Sequence, residues 1–435
     1  MAMTDSAGSP IAQDGQRLTA GLTPPAPATA GFDIVLAVLC ACAFVMPLAM
    51  FIIPALLVAL SADLGVSIGQ AGQLVTLAAV PAAVLALVIG PISDLRGRRP
   101  TLVAGTALLG AASLGSALAP NYEVMVATRV LSGVGGAAMG PAVFAAVADL
   151  FPYGQRGRIY GYITAATTIS IIVGVPAATL MAAFWHWRWA FAAVGLVTLA
   201  AVALLLRLYP AGSPKSQVPS PKSDRGQRTW DLELGTRNLL VAAYAPVLRA
   251  RSARAILGSS FAMSVGSMAF QTYLGAFFIA RYGIGTGDLA PVLGVGGLGV
   301  LIGAQLGGRL GERLGYRPIM SGAVLIAALF VVLQMQTTTS VELATFINFL
   351  TWIPMGMRFT SASVIISEAV PTARGTMNAL NATFFNAGTV AGAFVGGLIV
   401  EGAGYEPLGA LMLASAVASA ALVVLFVEER RPDEP

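Results

Sequence analysis

Two stretches, GPISDLRGRRP at residues 90–100 and GRLGERLGYRP at residues 308–318, share one pattern of glycine, acid, arginine and proline. They lie 218 residues apart. At that offset Gly90 aligns with Gly308, Asp94 with Glu312, Gly97 with Gly315, Arg99 with Arg317 and Pro100 with Pro318. The same offset brings Arg156-Gly157 onto Arg374-Gly375 and Gly174 onto Gly392. With one gap, Asp149 and Pro152 match Glu368 and Pro371. Only 10% of this chain is charged, so a charge cluster written twice with the same glycine spacing marks an internal repeat.

The rest of the composition says what is repeated. Of 435 residues, 57% are hydrophobic, and the mean hydropathy is +0.80. Soluble domains carry about 25% charged residues, which this chain cannot supply. Apolar runs long enough to cross a bilayer as helix follow one another near 32–60, 68–91, 101–119, 124–150, 158–184 and 189–208. A second set follows near 254–280, 288–307, 318–336, 342–369, 375–400 and 406–427. The expected organisation is an all-α membrane protein of twelve spans in two six-helix halves, 32–208 and 254–427. Residues 1–31 and 428–435 read as tails and 209–253 as a linker. Within the linker, SPKSQVPSPKSDRGQR is flexible in composition, and NLLVAAYAPVLRARSAR allows an interfacial helix that Pro246 would interrupt.

Basic residues set orientation. With the N-terminus inside, inside segments hold 21 of the 25 Lys and Arg, which places both termini in the cytoplasm. The net charge of +5 is therefore a topology signal, and nucleic-acid binding is set aside. Cys40 and Cys42 point to different faces of one helix, and His186 is the single histidine, so neither a disulfide nor a metal site is expected. No GxxxxGK[ST] loop is present, which argues against ATP-driven pumping by this chain. GVGGLG at 294–299 lies in an apolar run and follows no strand, so it reads as close helix packing rather than a nucleotide loop. No enzyme activity and no cofactor are expected.

The loop GPISDLRGRRP and its copy resemble the loop signature of the major facilitator superfamily. RVLSGVGGAA at 129–138 resembles a second motif of that family, and VGVPAATL at 173–180 with WRWAF at 187–191 resembles its drug:proton antiporter branch. The resemblance runs from about residue 32 onward. It implies alternating access, with the halves rocking about a central site, and a charge network at the cytoplasmic loops that latches one state. Here that network would be Gly90, Asp94, Arg96, Gly97, Arg98, Arg99 and Asp149, with Glu312, Arg313, Gly315, Arg317 and Glu368 in the copy. Leu95 stands where the family has a basic residue. Topology alone would need only the arginines; Asp94 and Asp149 add nothing to it.

Inside the spans, Arg358 lies mid-span in the tenth run, where burying a guanidinium costs about 2.5–3.5 kcal/mol. It should face a cavity. Asn348 and Thr351 share its helix face, Ser264, Ser267 and Gln271 form a stripe on span seven with Ser260, and span eleven offers Asn381 and Asn386 beside Asn378. These polar residues fit either a substrate site or interhelical hydrogen bonding. Arg129 either snorkels outward or, as the resemblance implies, serves proton exchange or a bond to span one. Asp33 is the other coupling candidate, because no Asp, Glu or His lies in the middle of a span. Gly133, Gly136, Gly174 and Pro176 are read as packing positions. Span one, bent by Pro47 and Pro54, offers an apolar wall.

The leading functional expectation is proton-driven efflux of a small organic compound, amphiphilic or anionic, by a monomer in a bacterial inner membrane. Uptake of an organic anion held by Arg358, and a transporter-like sensor or assembly factor that moves nothing, are the alternatives.

Overall fold

The computed structural model of the chain describes residues 29–96, 98–151, 153–209, 244–245, 247–337, 339–370 and 373–427. Among the described residues there are helices and no strands. The first half comprises span one (Thr29–Leu64), two (Ile68–Arg96), three (Arg98–Ala117), four (Tyr122–Leu150), five (Tyr153–Ile169, Ser170–Gly174 and Val175–Phe184) and six (Trp187–Leu208). The second comprises span seven (Arg251–Tyr282), eight (Leu289–Leu314), nine (Tyr316–Thr337), ten (Val341–Ala369), eleven (Arg374–Ala403) and twelve (Pro407–Phe426). Eleven of these are apolar and long enough to cross a bilayer on their described residues alone. Span four, 29 residues long, is the twelfth and includes side chains outside the described set.

Helix boundaries follow local chemistry. Asn121 caps span four by accepting from Val124 N at 3.0 Å, and Ser340 caps span ten by accepting from Leu343 N at 3.3 Å. Gly283 ends span seven in the left-handed region at φ 66°. Span five is interrupted by one π turn, Ser170–Gly174. Pro176, two residues beyond the turn, has no N–H to offer the carbonyl of Ile172, which lies 3.5 Å from a Cβ built on Gly294 of span eight.

The repeated loop is shorter than the sequence suggests. Span two continues through Arg96 and span three begins at Arg98; span eight continues through Leu314 and span nine begins at Tyr316. The charged segments are thus helical, because helix can extend past the bilayer into water. In the second copy the reversal is made at Gly315, with φ 91° and ψ 147°, a conformation that L side chains avoid. Gly315→Val is expected to cost about 1–3 kcal/mol of stability, read as a lowered thermal midpoint.

The repeat is also physical. Arg99 donates to the carbonyl of Leu206 at 2.6 Å, and Arg317 donates to the carbonyl of Val424. Both members of the pair are displaced by the same 218 residues. The final arginine of each loop motif therefore ties the start of the third helix to the end of the sixth within its own half. A cation there also meets the negative end of that helix.

Twelve antiparallel crossings put both ends of the bundle on one face, the terminal face, and the turns after spans one, three, five, seven, nine and eleven on the far face. Packing in the halves corresponds pair by pair: spans two and four match eight and ten, three and six match nine and twelve, one and five match seven and eleven. The linker reading of 209–253 falls largely on 210–243 and 246, outside the described residues, as do most of the two tails. Span one already starts at Thr29 and span seven at Arg251, so each helix takes in residues assigned to a tail or linker.

Candidate transport site and gates

Glycine brings the helices of each half together. On span eight, a Cβ on Gly299 would lie 2.7 Å from the carbonyl oxygen of Phe349, and one on Gly307 would lie 2.6 Å from Met357 Cα. Gly303 meets the Ile353 carbonyl, and Gly356 of span ten meets the Val300 carbonyl. In the first half Gly133 lies against Ala78 and Pro81 of span two, and a Cβ on Gly174 would lie 3.1 Å from the Phe44 ring of span one. Gly136 and Gly308 face open space, so the packing role expected of Gly136 is not seen. Pro176 reaches across to span eight, where a Cβ on Gly294 would lie 3.5 Å from its ring.

Span ten, held this way, carries Arg358. It is 8% exposed, and its Nε has no hydrogen-bond partner. One turn away on the same helix, Met355 packs into an apolar cluster of spans seven, nine and twelve, and Ala362 belongs to another that adds span eleven. Ser361, three residues along the helix, is fully buried and its Oγ is also unpartnered. Among the described residues every carboxylate is exposed, so none neutralises this guanidinium from within the bundle.

The polar stripes resolve mostly into helix-to-helix bonds. Ser260 donates to Asn381 Oδ1 at 2.6 Å, and Ser264 bonds the Phe385 carbonyl at 2.7 Å and Thr389 at 3.0 Å, joining spans seven and eleven. Asn348 donates to the Val292 carbonyl at 3.1 Å and accepts from Trp352 Nε1 at 3.2 Å, joining ten to eight. Ser267, Thr351 and Asn386 donate to carbonyls of their own helices. Gln271 is half-buried. Of the predicted substrate set, Arg358 and Gln271 are the members not engaged by these bonds.

Arg129 is 2% exposed and turns toward spans three and six, not outward and not toward span one as expected. Its Nη2 donates to Ser116, and its guanidinium lies 5.1 Å from the ring centroid of Phe191. Ser116 also bonds Thr128 at 2.7 Å. A cation over an aromatic face with a hydroxyl beside it accounts for burial without a carboxylate. Phe191 stands edge-on to Trp187, whose Nε1 donates to Asp63 at 3.1 Å; Arg188 donates to the same carboxylate at 2.6 Å. This far-face tie between spans one and six, which also brings His186 Nε2 within 3.6 Å of Asp63, had no signal in the sequence.

The predicted latch lies on the terminal face. The side chains of Asp94, Arg96, Arg98, Asp149 and Asp33, and residue Gly97, are outside the described set, and Gly90 lies within the helix of span two. Glu312, Arg313 and Glu368 are exposed. Among the described residues the halves meet through spans two and eleven, one and seven, and five and eight. On the far side these contacts are tight: a Cβ on Gly275 of span seven would lie 3.2 Å from the Pro54 carbonyl oxygen, and one on Gly287 would lie 3.2 Å from Ala183 Cβ. Toward the terminal face, spans four and five make no comparable packing with ten and eleven among the described residues. Among the described residues the halves are packed tightly at the far face, and toward the terminal face they meet through spans two and eleven rather than through spans four and five.

A family model, the Major Facilitator Superfamily, matches residues 39–347 and 292–435. The chain belongs to the Major Facilitator Superfamily. Members are transporters, not enzymes. This transporter is 25% identical over 362 residues to YceJ, an MFS-type transporter of Bacillus subtilis, covering 82% of this chain and 87% of that one. It is 33% identical over 173 residues to a chloramphenicol efflux pump of Mycobacterium tuberculosis, 40% of this chain and 42% of that one. Its fold matches the D-xylose-proton symporter with a TM-score of 0.71 at 17% identity, covering 92% of this transporter and 98% of the symporter. It is an integral multi-pass membrane protein that takes a small-molecule substrate.

Proposed function

We propose that this transporter exports a small amphiphilic or anionic organic compound, driven by the proton gradient, from the cytoplasmic side of a bacterial inner membrane. The observation that carries the proposal is Arg358: a buried guanidinium with no carboxylate beside it among the described residues, in a bundle whose halves pack tightly at the far face. A desolvated cation of this kind gains most from an anionic or strongly dipolar group on a ligand. The Lys and Arg distribution supports a cytoplasmic terminal face, which makes that face the one from which an exporter loads. The likeness of part of the chain to a chloramphenicol efflux pump supports a drug-like or metabolite-like cargo.

Every described carboxylate is exposed, so the proton would travel on Asp33, on the loop carboxylates Asp94 and Asp149 with Arg129, or on the substrate itself. The superfamily membership favours movement of solute over a sensor role. A second reading, uptake of an organic anion, rests on the same Arg358 and differs only in direction.

The test is accumulation of labelled amphenicols and aromatic carboxylates in a pump-deficient bacterial host. Expression should lower accumulation of at least one compound, and a protonophore should restore it. Raised accumulation would reverse the direction in favour of the second reading.

A further inference from the structure

At the far face, the end of span eleven touches the start of span two. Ser67 is the N-terminal cap of span two: its Oγ accepts from Gln70 N at 3.0 Å, and its own N–H donates to Gln70 Oε1 at 3.1 Å. The Ser67 hydroxyl donates to Glu401, the last acid of span eleven, from the opposite half. Gly69 leaves the space in which the carboxylate lies, since a Cβ there would be 2.5 Å from Glu401 Cδ and Oε1. One turn deeper, Gly72 leaves room for the Tyr273 hydroxyl, which donates to the Ala393 carbonyl at 3.1 Å. A Cβ on Gly397 would be 2.7 Å from that hydroxyl and 2.9 Å from Gln73 Nε2. The start of span two is fixed from its own half by Tyr122, whose hydroxyl donates to the Gln70 carbonyl at 2.7 Å.

We propose that Glu401 is a gating residue, whose carboxylate clamps the far face shut by seating on the capped N-terminus of span two. The seat has a physical basis. The first turn of a helix presents unpaired N–H groups and a partial positive charge, which favour an anion. Ser67 turns its hydroxyl proton to Glu401 while its lone pairs serve the cap, so one side chain links the helix start to the other half. The glycines let the two backbones close over this contact without side chains in the way. For the far face to open, span eleven must leave span two, and the Glu401 contact is the charged bond that breaks. The sequence-predicted latch lies at the opposite face, so the two contacts would hold opposite states of one cycle.

The proposal rests on the alternating-access reading, and its test needs no substrate. Spin labels are placed at Ala62→Cys and Thr339→Cys, both exposed on the far face in different halves, in a Cys40→Ala/Cys42→Ala background. Their distance distribution is measured in nanodiscs. Glu401→Ala should raise the ratio of the long-distance to the short-distance population by about threefold to tenfold, the scale of a helix-terminus charge contact. Ser67→Ala should give a similar shift, and the double variant no more than either single one. Ser67→Thr, which keeps the hydroxyl, should match the parent. An unchanged distribution in Glu401→Ala, or full additivity in the double variant, would overturn the proposal. Failure of all transport assays with the distance shift intact would sink the efflux reading and leave the gate standing.

Discussion

Arg358→Met is expected to abolish transport while leaving the protein folded, with a thermal midpoint at or above that of the parent. Arg358 is 8% exposed, its Nε is unpartnered, and every described carboxylate is exposed, so the charge is a cost to the folded bundle. Holding a guanidinium in a membrane interior costs about 2.5–3.5 kcal/mol, part of which an apolar side chain of similar length recovers. On the functional side, losing one member of a desolvated charge pair costs about 2–5 kcal/mol of binding, at least a tenfold rise in KM. Arg358→Lys should not rescue, because an ammonium cannot present the planar fork. Flux assays beside melting curves check both sides. A structural role for Arg358 predicts the reverse pattern: lower stability, with transport retained in what remains folded.

Gly303→Val is expected to give little or no folded protein. A Cβ at Gly303 would sit on the Ile353 carbonyl oxygen, 2.8 Å from its carbon and 3.1 Å from Gly356 Cα. These are backbone atoms of span ten and cannot rotate away. Span ten would have to leave span eight, breaking the Gly299 and Gly307 contacts and the Asn348 bond to the Val292 carbonyl with it. We expect a loss of more than about 3 kcal/mol, the upper range for overpacking at a close interface. Gly308→Val, whose added Cβ would meet open space, is the matched control and should leave the fold intact. Fluorescence size-exclusion profiles of the two variants separate these outcomes.

Twelve spans were legible because a bilayer demands about 20 apolar residues per helix, a length no other constraint imposes. The repeat was legible because charge is scarce, and the Arg99 and Arg317 contacts then proved equivalent at the same offset. Glycine in GVGGLG announced close packing, which Gly296, Gly297 and Gly299 make against span ten and span five. Partners were not legible. Periodicity put Ser260 and Ser264 on one face, but only the fold shows that Asn381 and Thr389 answer them and remove them from the free cavity wall. Arg129 offered no hint of Ser116 or Phe191, which lie on other helices. Glu401 drew no reading from the sequence, where it falls just past the eleventh apolar run. Its meaning depends on Ser67, 334 residues away in sequence. The loop motif misled on length, since polar residues read as turn are helix up to Arg96 and Leu314.

The most direct test of the account is solute flux in proteoliposomes under an imposed pH gradient. Purified parent protein and Arg358→Met are compared across a panel of anionic and neutral amphiphiles. The account predicts that the parent moves at least one solute against its gradient when protons flow the other way, that collapsing the gradient stops it, and that Arg358→Met does not move it. Flux that is indifferent to the pH gradient, or equal in Arg358→Met, would contradict it.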